Sequence, residues 1–280
     1  MVGQISFYRK SKLFLVMFPV FALVMLQGAS ALAVFSPDIS ITGNIEYDTE
    51  FADAYNASLT GGFSKTVGGT VTNSTFNAGA VAGGNPLAGT LTSIGDGFGF
   101  SSNGSGNMAG SEPDDESELG AGFDMTLNIV NNSLTFPYWI TFNLNFSNFV
   151  TSSGVDAYAH SEFTLDDPTG EIFFTDLLSD LYYGNEIGGV ETGGYGGNLN
   201  ESGTPSFTKL LGPGETWSYD GAFTMEGGAF ENLSSYSGAF SANFTVTDVT
   251  QEVPEPVTAL LLSVGALCSN CLRRPKSKKK

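Results

Sequence analysis

The sequence predicts an all-β fold, an antiparallel β-sandwich with glycine-rich loops, with an N-terminal signal helix and a short C-terminal membrane helix at its ends. Three observations carry the prediction. From Val34 onward short apolar-polar runs alternate with period two, and almost no helical periodicity is found outside the two ends of the 280-residue chain. The alternation is strictest from Tyr138 to Phe146, with Tyr138, Ile140, Phe142, Leu144 and Phe146 on one face and Trp139, Thr141, Asn143 and Asn145 on the other. Turn residues punctuate the runs at short spacing, the pattern of a sandwich of many short strands.

In chain order, Arg9, Lys10 and Lys12 form a positive n-region, Leu13 to Leu26 an apolar h-region, and Ala31-Leu32-Ala33 an A-x-A site. That is the three-part pattern of a secretory signal peptide, and it places cleavage after Ala33. Residues 34–252 then form one exported β domain and 253–280 a separate tail. Ile39 to Tyr47 is the first candidate strand. Residues 60–120, with Gly61-Gly62, Gly68-Gly69, Gly83-Gly84 and a Ser-Asn-Gly run from Ser101 to Asn107, are expected to be edges and long loops. Phe123, Met125, Leu127 and Ile129 make a second strict apolar face. The Asn131-Asn132-Ser133 turn and Pro137 divide this strand from Tyr138–Phe146, so the two pair as a hairpin or meet across a Greek-key corner. Val155 to Phe163, Thr216 to Met225 and Phe240 to Val249 are further strands, the last with Phe240, Ala242, Phe244 and Val246 inward. Phe173, Phe174, Leu177, Leu178, Leu181, Tyr182 and Tyr183 suggest a short helix or a loop that packs its aromatics. Ile187 to Ser206 is expected to be a mobile glycine-rich insert.

The charge is distributed unevenly. Nine of the eleven basic residues lie before residue 13 or after residue 272, whereas all 29 acidic ones lie between Asp38 and Glu255. From Val34 to Glu255 only Lys65 and Lys209 are basic, so two bases against 29 acids leave a formal charge of −27. Such a surface repels phosphate backbones and excludes nucleic acid as a partner.

Little in the domain announces chemistry. The single histidine, His160, lies on the same predicted strand face as Asp156, but no G-x-S-x-G elbow supplies a nucleophile, and it is read as an exposed strand residue. Asp166-Asp167 with Glu171, and Asp114-Asp115 with Glu116, have calcium-type oxygen ligands without EF-hand or β-roll spacing, and are read as solvated turns. No catalytic residue, metal ligand or cofactor is assigned. Both cysteines, Cys268 and Cys271, fall in the tail, so the domain has no disulfide.

That tail opens on Pro254-Glu255-Pro256, continues as an apolar run from Val257 that trails off to Leu272, and ends with Arg273, Arg274 and a lysine-rich terminus. As a helix, Val257 to Leu272 extends about 24 Å at ~1.5 Å per residue, short of the ~30 Å hydrocarbon core. The basic cluster stays cytoplasmic by the positive-inside rule, leaving the domain across the membrane. This order of parts resembles the PEP-CTERM sorting signal of exported Gram-negative proteins, also catalogued as an ice-binding protein C-terminal domain. Pro254, Glu255 and Pro256 match its motif, Leu260 to Leu262 its apolar run, and Arg273 and Arg274 its basic stop. The polar stretch Cys268-Ser269-Asn270-Cys271 and the long lysine terminus depart from it. The resemblance implies processing by an exosortase-type enzyme, inner-membrane anchoring before processing, and then a place at the cell surface or in an exopolysaccharide or biofilm matrix. An anchor that is never cut is the alternative for the tail. For the domain, the expectation is a non-enzymatic matrix protein; the alternatives are a secreted glycan-, calcium- or ice-binding module, or a hydrolase. An ice-binding surface would require a flat, regular threonine ladder.

Overall fold

The computed structural model describes residues 33–108, 110 and 115–252. The signal peptide, apart from Ala33, and the whole tail, including Pro254, Glu255, Pro256, Arg273 and Arg274, lie outside the described residues, as does Asp114.

Among the described residues the regular elements are seventeen strands. In chain order these are β1 (Ile39–Tyr47), β2 (Asp53–Tyr55), β3 (Ala57–Val67), β4 (Thr70–Asn77), β5 (Ala80–Ala82), β6 (Leu87–Leu91), β7 (Gly97–Asn107), β8 (Ser117–Asn131) and β9 (Tyr138–Ser153). The second half adds β10 (Ala157–Asp167), β11 (Gly170–Asp180), β12 (Glu186–Ile187), β13 (Val190–Glu191), β14 (Gly197–Gly203), β15 (Ser206–Leu211), β16 (Thr216–Ala229) and β17 (Ser235–Gln251). They form two antiparallel sheets. One has nine strands in the order β13-β12-β11-β10-β16-β8-β1-β6, with β2 also on β8. The other has eight, β14-β9-β17-β7-β3-β4-β5, with β15 also on β9.

The inner faces meet through aromatic rings. Phe100 of β7 stacks on Phe123 of β8 at 4.8 Å between ring centres and touches Phe223 of β16, while Phe240 of β17 lies 4.5 Å from Phe223. Farther along, Tyr219 of β16 sits edge-on to Phe142 and Phe244 of the opposite sheet. Such pairs contribute roughly 0.5–1.5 kcal/mol each beyond the area they bury. The expected faces Phe123-Met125-Leu127-Ile129, Tyr138 to Phe146 and Phe240 to Val246 are all buried here.

Four expectations are corrected. First, of the two arrangements expected for β8 and β9 the hairpin is overturned: each strand belongs to a different sheet, and the chain crosses between them at a corner formed by residues 132–137. Asn131, fully buried, holds this corner: its Nδ2 donates to the carbonyls of Phe136, Leu211 and Gly212, and its Oδ1 accepts from Ser133 N–H at 3.0 Å. Second, residues 60–120 contain strands β3 to β7 and the start of β8 rather than long loops. Leu59, Phe63, Phe76, Phe98 and Phe100 supply the inward positions, and glycine lies between them where strands approach closely; a Cβ on Gly97 would stand 2.1 Å from the Phe244 carbonyl. Third, Phe173 to Asp180 belongs to strand β11, paired with β10, and not to a helix or loop. Both parities of β11 are covered in its second half, so apolar residues occur on both faces and imitate helical spacing. Fourth, the Ile187–Ser206 insert is not loose: it contains β13 and β14, and β14 zips onto β9 from Gly197↔Ser152 to Gly203↔Phe146. Asn185, buried beneath it, donates to the Gly196 carbonyl at 2.8 Å.

Candidate functional site

Alternation gives each sheet an outer face, and the two outer faces differ. On the nine-stranded sheet carboxylates cluster at the outward positions of β10, β11 and the facing part of β16, while towards β6 a neutral row of Ser218, Asn128, Thr42 and Thr90 crosses the same face. Asp220, Asp166 and Glu171 are direct neighbours across β16, β10 and β11; Glu162 faces Asp176, and Glu46 faces Asp124. Burial, followed by the neighbouring charge of Asp48, pushes the Asp124 carboxyl above its usual range.

His160 stands on this acidic face. Its Nε2 lies 2.8 Å from Asp176 Oδ1, with Glu226 opposite on β16. The hydrogen bond to Asp176, helped by the charges of Asp176, Glu162 and Glu226, raises its pKa against the opposing effect of burial. The expectation of an exposed histidine beside Asp156 is therefore corrected in partner and in setting. Asp156 precedes β10, whereas Asp176 reaches the ring from the neighbouring strand. The ring is only 26% exposed.

Asp166 faces Glu171 directly, and Asp167 accepts from Thr169 N–H at 2.7 Å in the tight β10–β11 turn. Among the described residues no group of three or more His, Cys, Asp or Glu side chains is arranged to hold a metal ion.

The outer face of the eight-stranded sheet is uncharged over most of its width. One row across β9, β17, β7, β3 and β4 is Ser147, Ser241, Ser101, Gly62 and Thr75; the next is Asn145, Asn243, Gly99, Ser64 and Asn73. On the other side of the serine row come Phe149, Ala239, Asn103, Thr60 and Asn77. β14 extends the face with Asn200 beside Phe149 and Ser202 beside Ser147. Hydroxyls and amides interlock laterally: Ser153 with Ser235 at 2.8 Å, Thr141 with Thr208 at 3.0 Å, and Ser206 with Asn143. A carboxylate appears only beyond the β17 bulge, at Asp248 opposite Thr141, near the exposed ring of Trp139.

The rows mix Ser, Asn, Gly and Thr rather than forming a ladder of threonines. Thr245 lies between Asn143 and Gly97, and Thr247 enters the bulge, where its hydroxyl donates to the Thr141 carbonyl at 3.3 Å. Among the described residues, hollows open on this sheet at two places along the same strands. A trough of about 440 Å³ lies over Gly62 and Gly99, where missing side chains expose the backbone between Ser64, Asn73, Ser101 and Asn243. A hollow of about 570 Å³ lies at the far end of the same strands, among Ser58, Ser105, Asn107 and Ser235.

Sequence reasoning missed this face because three of its strands lie in the stretch read as loops. The available signal was the small polar residue at every second position: Ser58, Thr60, Gly62 and Ser64 in one run, and Gly97, Gly99, Ser101, Asn103 and Ser105 in another.

No family model matches the chain, and no curated protein matches it. Among solved structures it is similar to the VP2 subviral particle of infectious bursal disease virus, at 11% identity over 85% of this chain and 74% of that one, with a TM-score of 0.15. It is similar also to the Gx strain of that virus, at 11% identity over 86% and 76%, with a TM-score of 0.14.

Proposed function

We propose that this chain is an exported, non-enzymatic surface protein of a Gram-negative bacterium, delivered through its PEP-CTERM-like tail and placed in the extracellular polysaccharide matrix. The observation that carries the reading is the order of parts after β17. The strand ends at Gln251, Glu252 N–H is tied to the Pro137 carbonyl at 2.9 Å, and Pro254-Glu255-Pro256, the apolar run and Arg273-Arg274 follow at once. The tail is the address, its reader an exosortase-type enzyme in the inner membrane, and the two-sheet domain the cargo. Replacing Pro254-Glu255-Pro256 with three alanines is expected to leave export intact but to hold a full-length precursor in the inner membrane. Truncation after Gln251 is expected to release soluble protein. Mass spectrometry of protein from membrane, surface and medium checks both; a triple-alanine variant that matures and localises like wild type overturns the sorting role and leaves a simple anchor.

A further inference from the structure

We infer that the outer face of the eight-stranded sheet binds an uncharged polysaccharide chain, laid along β7 from the trough at Gly62 and Gly99 towards the hollow at Ser105. This names a ligand class and a site for the matrix reading above, and it rests on that reading only for its biological setting.

Three observations converge on it. The first is electrostatic. The region from Val34 to Glu255 carries a formal charge of −27, yet the rows over β9, β17, β7, β3 and β4 contain no ionisable side chain. A ligand on these rows meets no fixed charge, while the long-range field of the molecule still opposes a polyanion. Neutral polymers are therefore admitted, and uronic-acid or sulfated polymers are held off.

The second is the chemistry of the trough. Its sides are hydroxyls and amides, each able to donate and to accept, matching the two-way hydrogen bonding of sugar hydroxyls. A Cβ placed on Gly99 would meet Asn243 Oδ1 at 3.0 Å and Ser64 Oγ at 3.3 Å, so two polar side chains lean over the glycine from opposite strands. A second copy of the protein suits the face less well: it has no apolar centre of the kind that makes a protein interface stable.

The third is length. The two hollows share β3, β7 and β17, and Gly99 and Ser105 are six residues apart on one strand, roughly 20 Å at about 3.3 Å per residue. Two shallow hollows in line suit an extended chain better than a single small molecule.

The test is affinity electrophoresis of the purified full chain in mild detergent, in native gels containing a neutral β-glucan, dextran, alginate or no polymer. Retardation by at least one neutral glucan and none by alginate is expected. Ser101→Asp, which puts a charge in the central row, and Gly62→Val, which fills the trough, should each weaken retardation at least tenfold. Asp220→Asn, on the opposite face, should leave it unchanged. Circular dichroism accompanies each variant; if Gly62→Val does not fold, Asn243→Ala, which removes one leaning amide, should still weaken retardation severalfold. The proposal is overturned by mobility indifferent to both neutral polymers, by retardation in alginate, or by Ser101→Asp binding like wild type. It is equally overturned if sedimentation shows wild type self-associating and Ser101→Asp monomeric, since the face then belongs to a second copy. The localisation experiment above reads the tail alone, so either can fail without the other.

Discussion

Across β16, β10 and β11 the outer face of one sheet sets Asp220, Asp166 and Glu171 side by side; across β9, β17, β7 and β3 the outer face of the other sets Asn145, Asn243, Gly99 and Ser64 in a row. Both faces are made by the same device, the outward half of an alternating strand, and they share the same aromatic interior. Like charges directly opposite on neighbouring strands are destabilising, so the acidic face costs stability that an alternation of Ser and Thr would not. The comparison separates two jobs. On the proposed reading the carboxylates gathered over β10, β11 and β16 repel polyanions, and the rows over β9, β17, β7 and β3, which carry no charge, are left free to hydrogen-bond.

The comparison can be broken at its shared core, at its crossing point and at each surface. The largest effect is expected from Phe100→Ala. This ring touches Phe123, Phe163 and Phe223 of one sheet and Phe240 of its own, and its loss should cost about 3–5 kcal/mol in denaturant unfolding. A cost below about 1 kcal/mol would mean that the sheets are joined elsewhere.

Asn131→Ala, at the crossing between the sheets, comes next. It removes the donor serving three carbonyls, and leaving buried acceptors unpaired costs about 1–3 kcal/mol. Asn131→Asp, which keeps the shape but loses the donor, should be at least as damaging; a neutral result for both would remove the corner from the account.

Smaller shifts test the faces themselves. Asp220→Asn, relieving a neighbour of Asp166, should stabilise the fold by a few tenths of a kcal/mol up to about 1, and the gain should shrink in high salt. No change, or destabilisation, would show that these carboxylates do not repel one another.

The smallest effect is in pH dependence. The folded state holds the His160 proton more tightly than the unfolded chain, whose histidine titrates near 6.5. Its contribution is therefore fully present below pH 6.5 and is lost as pH rises through the elevated folded value. Melting temperature followed across that range should fall for wild type, and His160→Gln should flatten that part of the curve. Asp124 acts in the same direction at lower pH: its folded pKa is raised, so its ionisation costs stability as pH climbs from the ordinary carboxylate value of 3.8.

Which strands were legible depends on what filled the positions between the apolar ones. Ile39–Tyr47 and Tyr138–Phe146 could be read directly because large inward residues alternate with polar ones, leaving one register that buries the apolar set. In β3 and β7 the inward set includes Gly61, Ser102 and Gly104, so the apolar signal is interrupted although Phe63, Phe98 and Phe100 are core. β11 failed for the opposite reason: cover on both sides of its second half removes alternation altogether. The pairing of His160 with Asp176 was out of reach, since Asp176 is sixteen residues away and comes beside it only through the β10–β11 hairpin. The neutral face had a local signature in each strand, but only the register assembles these into rows.

The division between the faces is tested most directly by hydrogen–deuterium exchange of the full chain with and without a saturating neutral β-glucan. The account predicts added amide protection around the trough and along β3, β7 and β17, with β10, β11 and β16 unchanged. Protection on the acidic strands, or none anywhere while the glucan is demonstrably bound, would contradict it.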